Sequence, residues 1–181
     1  MGHSLELTQE LHDRLWGHLL QGVQEQVAFV FAEADGDDNG VVFRGREAYL
    51  VPPSELLVQT SYCLSLTDRA QARVIKMAWD KGLALLELHS HRGATGPAEF
   101  SPSDLLGLDE FVPHVRWRLR GRPYLAIVVG SSDFDALVWR NGAPEGLEHV
   151  RIGDRVVRPT CLSLRALLRP RRKADGRRPV S

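Results

Sequence analysis

The chain has little cysteine, no excess charge of either sign and no long apolar run. Its two cysteines, Cys63 and Cys161, form no CxxC pair, so neither a disulfide framework nor a thiolate zinc site is expected. Lys plus Arg number 23, as do Asp plus Glu, which argues against nucleic acid and membrane surfaces as partners. The apolar runs fall well short of the ~20 residues that span a membrane. With no charged-then-apolar leader at its start, the chain is expected to be cytoplasmic.

The length and composition are those of one globular domain. With 181 residues, of which 43% are hydrophobic and 25% charged, the chain is long enough to bury a sizeable core. No internal repeat or long linker marks a second domain. Residues 1–164 are predicted to form the folded domain, and residues 165–181, rich in Arg and Pro, are predicted to be a basic, disordered tail.

The apolar pattern predicts strands alternating with helices. Thr8 is suited to cap a helix with leucines at helical spacing, Asp68 to cap a helix through Trp79 that Gly82 ends, and Ser101 to open a third helix. Strands are predicted at residues 27–32, 41–51, 56–66, 83–89, 124–129 and 136–139. This order predicts an α/β fold with a three-layer-like mixed β-sheet flanked by helices.

The segment from Leu83 to Leu106 carries the most chemical information. An apolar run ends in His89-Ser90-His91, and Ser101-x-x-Asp104 follows a glycine-containing loop. Histidines at i and i+2 on an extended chain point to the same side. A carboxylate from a nearby helix start would complete a two-His, one-carboxylate set around zinc. Such a set leaves the fourth position open for water, as catalytic zinc sites do. The segment therefore predicts a metal-activated hydrolase.

The Ser-x-x-Asp sequence also has a purely structural interpretation. Ser101 at the N-cap, Pro102 at the first helical position and Asp104 at the third form a capping-box-like helix start. The two roles are compatible, because an aspartate in a first helical turn can still face a metal.

These motifs resemble the signature of the JAMM metalloproteases, the catalytically active MPN-domain proteins. In that pattern an upstream Glu precedes His-x-His, a spacer and Ser-x-x-Asp. Here Glu25 opens the sequence EQVAFVFA, with Ala28 and Ala32 at the positions where the family has small residues. The resemblance covers roughly residues 7–139, and it implies an MPN fold, similar to cytidine deaminase.

The resemblance assigns a role to each residue of the signature. His89, His91 and Asp104 would ligate Zn²⁺, Glu25 would act as the general base, and Ser101 would stabilise the oxyanion. The implied activity is a zinc-dependent isopeptidase or peptidase that cleaves after the C-terminal glycine of a ubiquitin-like or sulfur-carrier protein. Bacterial relatives often accompany E1-like and E2-like enzymes, and relatives often pair, so the resemblance also implies such partners and a homodimer.

The chain departs from the family pattern in the loop before Ser101. Residues 92–100 make a spacer of nine residues, which is longer than the family's usual one, and Arg92 stands where the family often has Pro. A longer loop is easily absorbed, because the entropy of loop closure grows slowly with length. Neither change removes a ligand, but the loop would border the substrate groove.

Two other functions remain open from the sequence. The first is a non-catalytic MPN-type scaffold that binds a protein partner without metal; the complete ligand set argues against it. The second is a histidine-rich phosphoesterase site beginning at Glu87, which would need further ligands. After His91, the sequence contains only two further histidines, His114 and His149. The phosphoesterase interpretation is therefore weak.

Overall fold

The structure of the protein, a computed structural model, describes residues 2–61 and 63–169. Within them the chain forms ten strands and four α-helices. The strands are β1 (His3–Leu7), β2 (Val27–Asp37), β3 (Gly40–Leu50), β4 (Leu56–Gln59), β5 (Leu64–Leu66), β6 (Ala84–Ser90), β7 (Tyr124–Val129), β8 (Phe134–Trp139), β9 (Glu145–Ile152) and β10 (Arg155–Val157). The helices are α1 (Gln9–Leu19), α2 (Asp68–Lys81), α3 (Pro102–Arg118) and α4 (Leu162–Leu168).

The helix starts follow the capping residues in the sequence. The Thr8 side chain accepts a hydrogen bond from the Leu11 N–H at 3.1 Å and so caps α1. Helix α2 is capped by Thr67, one residue before the predicted Asp68, and it ends at Gly82 in the left-handed conformation. Pro113 lies within α3, which continues past it to Arg118.

The predicted sheet architecture is wrong, because the sheet closes on itself. The strands follow the order β1-β3-β2-β6-β7-β8-β9-β10, and β1 also pairs with β9. Seven strands, β1, β3, β2, β6, β7, β8 and β9, therefore form a closed barrel, and β10 extends it beside β9. This barrel is not the three-layer-like α/β arrangement of an MPN or cytidine-deaminase-like fold.

Two strands that the sequence pattern did not predict close the barrel. Strand β1 is parallel to both of its neighbours, with Leu5 opposite Phe43 of β3 and opposite Val150 of β9. Strand β1 has only five residues, and β9 mixes polar with apolar residues, so neither gives a strong strand signal. Closure removes free sheet edges, which a layered sheet would have left exposed.

One further predicted strand is also wrong. In place of one strand over residues 56–66, the described residues of this segment contain the two short strands β4 and β5, which pair antiparallel in a separate two-stranded sheet. The chain reverses between them, where the Cys63 N–H donates to the Thr60 Oγ1 at 2.9 Å. This small sheet lies at the edge of the candidate site described below.

The barrel wall separates two apolar cores. One core contains residues from all seven barrel strands, and the apolar face of α1, with Leu11, Leu15 and Leu19, packs on it. The other core lies on the outer face of β2, β6, β7 and β8, where α2 and α3 cover the wall. Strand β2 is buried on both faces from Val27 to Ala32, which explains why this segment is continuously apolar rather than alternating.

The last described helix enters the segment predicted to be a tail. Helix α4 extends to Leu168, so the first residues of the predicted tail at 165–181 are helical. Residues 170–181, which make up most of that predicted tail, lie outside the described residues.

Within residues 2–61 and 63–169, no helix is both long and apolar enough to cross a membrane.

Closure of the barrel can be tested at Leu5, whose side chain is fully buried. Leu5→Ala should lower the free energy of unfolding by about 2–5 kcal/mol, because it leaves a cavity where β1 joins two strands. Denaturant unfolding followed by circular dichroism measures the change. Leu57→Ala is the matched control, since Leu57 is 74% exposed and its truncation should change stability by no more than about 0.5 kcal/mol. Equal effects of the two substitutions would contradict the closed barrel.

Candidate metal centre

The two predicted histidine ligands lie where β6 reaches the rim of the barrel. His89 is in β6 and pairs with Val27 of β2 and Val128 of β7. His91 follows the strand, and its backbone N–H donates to the Val129 carbonyl at 2.9 Å. The two imidazole centroids are 4.9 Å apart, as expected for residues i and i+2 of an extended chain. Both side chains lie on the outer face of the wall, toward α3.

The first turn of α3 brings the predicted carboxylate to the histidines. The Ser101 side chain accepts from the Asp104 N–H at 3.2 Å, and Asp104 Oδ2 accepts from the Ser101 N–H at 2.7 Å. The capping box expected from the sequence is therefore present. The same Oδ2 atom lies 3.1 Å from His91 Nε2 and 3.5 Å from His89 Nε2. One carboxylate thus caps the helix and faces both imidazoles.

The three side chains form a group that fits a metal ion. One ligand atom from each of His89, His91 and Asp104 lies within 4.8 Å of the other two. Ligand atoms of a tetrahedral zinc site are about 3.3 Å apart, given bond lengths of about 2.0–2.2 Å, and the two histidine–carboxylate distances of 3.1 and 3.5 Å bracket this value. Moreover, His89 Nε2 is buried and has no hydrogen-bond partner among the described residues. A bound cation would satisfy this atom.

Glu25 lies across the group from Asp104. Its Oε1 is 3.6 Å from His91 Nε2, and its side chain is only 5% exposed. Backbone contacts hold it there, because the Glu25 N–H donates to the Thr60 carbonyl at 2.8 Å and the Gln59 side chain donates to the Glu25 carbonyl at 3.0 Å. Burial raises the pKa of Glu25, although the nearby histidines oppose this shift. A carboxylate with a raised pKa is a stronger base.

Ser101, the predicted oxyanion donor, also borders the site. The Ser101 Oγ accepts a hydrogen bond from the Asp104 N–H. It also forms a hydrogen bond with Ser103 Oγ at 2.9 Å, in which either hydroxyl can be the donor. When Ser103 donates, the Ser101 proton is free to point toward a ligand.

The charges of the site shift the pKa values of both ligand types. Burial by itself lowers the pKa of His89, but the adjacent Asp104, Glu87 and Glu25 carboxyl groups outweigh it and the net shift is upward. Burial by itself raises the pKa of Asp104, but contacts with His89 and His91 hold it well below its usual range. Asp104 is therefore ionised at neutral pH, ready to bind a cation.

Glu87, which the sequence motifs do not assign to this centre, lies behind His89. Its Oε1 is 3.7 Å from His89 Nδ1, and its Oε2 accepts a hydrogen bond from the Tyr124 hydroxyl at 2.7 Å. Burial raises the pKa of Glu87. A carboxyl group on the Nδ1 side favours the tautomer that leaves Nε2 free for a metal. The alternation of β6 could have indicated this residue, since Glu87 shares a face with His89.

Ser90 and Arg92 also hold the site and were not predicted to do so. Ser90, between the two histidines, is fully buried; its Oγ accepts from the Gln26 N–H at 3.0 Å, and its N–H donates to the Gln26 carbonyl at 3.0 Å. Arg92 donates to the carbonyls of Leu20 and Gly22, the latter at 2.8 Å. Both residues therefore fix the segment that carries Glu25. No sequence motif specifies these partners.

Two cavities meet at Glu25. The helix-side cavity, about 230 Å³, is bordered by Glu25, His89 and Asp104 and extends past Leu64–Leu66 of β5 to Phe111 of α3. The loop-side cavity, about 510 Å³, is bordered by Glu25, His91 and Ser101 and by residues 93–98. The ligand group is thus accessible from two sides.

Comparisons with known proteins bear on the fold alone. No family model matches the chain, and no curated protein matches it. Solved structures with a similar fold include the solution structure of protein DSY2949 from Desulfitobacterium hafniense, with a TM-score of 0.50 and 19% sequence identity. That match covers 84% of this chain and 94% of the other.

The electrostatic coupling of the site can be tested in the metal-free protein. Asp104→Asn should lower the pKa of His89, because the substitution removes its main charge partner while burial remains. Titration of the histidine ring signals by two-dimensional NMR measures this pKa. Asp109→Asn, an exposed substitution on the same helix, should leave the pKa unchanged. An unchanged His89 pKa in Asp104→Asn would show that Asp104 does not control it.

Proposed function

We propose that the protein is a zinc-dependent isopeptidase or peptidase of the JAMM type. The observation that carries the proposal is the convergence of His89, His91 and Asp104 within 4.8 Å, with the buried Glu25 carboxyl group 3.6 Å from His91. These residues come from three separate segments of the chain, and they follow one another in the sequence in the same order as in the JAMM signature. The support lies in these side chains, because the closed barrel does not reproduce the predicted MPN layers.

His89, His91 and Asp104 are the residues that would hold the metal. Two imidazole nitrogens and one carboxylate oxygen are a donor set typical of catalytic zinc, with a remaining position for water. When bound, the ion would supply Lewis acidity and lower the pKa of its water to about 7. Glu87 would keep His89 in the tautomer that presents Nε2.

Glu25 is proposed as the general base and later the general acid. Its carboxyl group is close to the ligand group but is not one of the three ligands, so it can take a proton from the attacking water. Its raised pKa favours both proton uptake and the later transfer of that proton to the leaving amine. The backbone contacts of Glu25 with Thr60 and Gln59 limit its movement between these steps.

Ser101 is proposed to stabilise the developing negative charge on the substrate carbonyl oxygen. Its hydroxyl group borders the loop-side cavity together with Glu25 and His91. The capping box fixes its position before substrate arrives, and a preorganised donor stabilises the transition state without reorganising.

The proposed substrate is a ubiquitin-like or sulfur-carrier protein, cleaved after its C-terminal glycine. The two cavities, which share Glu25, would accept the chain on either side of the scissile bond. The JAMM resemblance adds E1-like and E2-like enzymes as partners and a homodimer to the proposal. A cytoplasmic location, expected from the sequence itself, is also part of the proposal. Nucleic acid and membranes are not among the proposed partners.

The activity should depend on one metal ion and on Glu25. The purified protein should contain about one zinc per chain by metal analysis, and chelation should abolish cleavage of glycine-terminated modifier fusions. Glu25→Gln should lower kcat by about 10²–10⁴-fold, the range typical of a general base, while the zinc content and the fold are kept. Cleavage is followed by gel electrophoresis and mass spectrometry.

The matched control is Glu110→Gln, an exposed substitution on α3 that should leave kcat unchanged. Full turnover by Glu25→Gln would exclude the proposed base. Gently purified protein without bound zinc, and without affinity for added zinc, would instead favour a partner-binding scaffold.

Zinc affinity should rise with pH. The raised pKa of His89 means that a proton competes with the metal up to a higher pH than at an ordinary histidine. Competition with a chromophoric chelator between about pH 6 and pH 8 spans the ordinary histidine pKa and should show weaker binding at the lower end. A pH-independent affinity would argue against His89 as a ligand.

A further inference from the structure

The loop of residues 92–100, between His91 and Asp104, is held by hydrogen bonds to residues that are distant in the sequence. Asp135 in β8 is fully buried, and its carboxyl oxygens accept three backbone hydrogen bonds. The donors are the N–H groups of Ala136 at 2.9 Å, Cys161 at 3.0 Å and Ser163 at 2.8 Å. A buried carboxyl group is costly unless such donors satisfy it. Asp135 therefore holds the start of α4 against the barrel wall.

The backbone at this attachment point is strained. Cys161 adopts a left-handed φ of 58°, which is uncommon for a residue other than glycine. Such a conformation persists where the surroundings enforce it, and here the Cys161 N–H is bound by Asp135. The start of α4 consequently has one defined position.

The start of α4 in turn holds the loop that leads into α3. Ser163 Oγ accepts from the Phe100 N–H at 2.9 Å, and Thr160 Oγ1 donates to the Ala98 carbonyl at 2.7 Å. The Ala98 N–H donates to Asp133 Oδ1 at 3.0 Å. Both backbone polar groups of Ala98 and the N–H of Phe100 are thus fixed by residues far away in the sequence.

Phe100, whose N–H is held by Ser163, directly precedes Ser101 at the candidate metal centre. The Phe100 ring packs on the His89 imidazole with centroids 5.6 Å apart, and Ser101, the next residue, caps α3. Asp104 follows in the first turn of that helix. Without the attachment, residues 92–100, which include Gly93 and Gly96, would leave the α3 start free to shift relative to β6.

We propose that Asp135, Thr160 and Ser163 are positioning residues of the metal centre, which set the distance of Asp104 and Ser101 from the two histidines. The inference rests on the proposed function. A metal centre tolerates displacements of only about 0.5 Å in its ligands. Residues that orient ligands from outside typically change metal affinity by 10–100-fold when substituted.

The test uses substitutions that remove the side-chain hydrogen bonds to the loop; Thr160→Val also removes the 3.5 Å contact in which Thr160 Oγ1 accepts from the Leu162 N–H. Ser163→Ala and Thr160→Val should each weaken zinc affinity by about tenfold or more, measured by competition with a chelator on the full chain. They should also change the visible absorption spectrum of the Co²⁺-substituted protein, since this spectrum reports coordination geometry. Ser163→Thr, which keeps the hydroxyl group, should restore both properties. Thr160→Val decides the question if Ser163→Ala does not fold.

The matched control is Leu164→Ala. Leu164 lies in α4 and packs on the apolar core outside the barrel wall. Its truncation therefore loosens the helix without removing a hydrogen bond to the loop. It should lower stability but leave the Co²⁺ spectrum and the zinc affinity within about twofold of wild type, well below the change typical of a lost orienting partner. If Leu164→Ala weakens zinc binding as much as Ser163→Ala does, α4 is merely structural and the positioning role is excluded.

Two further outcomes separate this inference from the proposed function. If the wild-type chain binds zinc, and both loop variants bind it with the same affinity and spectrum, only the positioning role is excluded. If the wild-type chain binds no zinc, the proposed function fails and the positioning role fails with it.

Discussion

The antiparallel pairing of β2 with β6 is the constraint on which the candidate site depends. Its register places Val27 opposite His89, and the reciprocal hydrogen bonds between Ser90 and Gln26 extend it to the rim of the barrel. This register places the Glu25 side chain beside the His91 imidazole, with 3.6 Å between Glu25 Oε1 and His91 Nε2. Because side chains alternate along a strand, a slip of one residue would move Glu25 to the opposite face. The remaining elements of the site are arranged around this pair of strands.

The electrostatics of the site favour a divalent cation. Three carboxyl groups, those of Glu25, Glu87 and Asp104, surround two largely buried imidazoles. Burying charge is costly unless it is compensated. In the metal-free protein, protons provide part of this compensation, which explains the raised pKa values of His89, Glu25 and Glu87. A bound dication would replace those protons and supply the largest local charge.

Much of the local structure could be predicted from the sequence, and the architecture could not. The caps at Thr8 and Ser101, the helix end at Gly82 and the apolar strands β2 and β7 follow from local propensities and short periodic patterns. The barrel depends instead on β1 and β9, whose pairing is a long-range contact with no local signal. Without these strands, the same elements are equally compatible with an open, layered sheet, which is the fold that was wrongly expected.

The sequence by itself determined which side chains are available to the site and which local elements carry them: the histidine pair on a strand, the aspartate in a capped helical turn and the glutamate before a buried strand. Only the tertiary structure decided that these segments converge, and that Glu87, Ser90, Arg92 and the Asp135–Ser163 attachment hold them in place. The physical reason is that capping and alternation act between residues close in the chain. Convergence depends on strand register, barrel closure and hydrogen bonds between residues that are far apart in the chain, 72 positions at Arg92 and 63 at Ser163, and no local pattern encodes them.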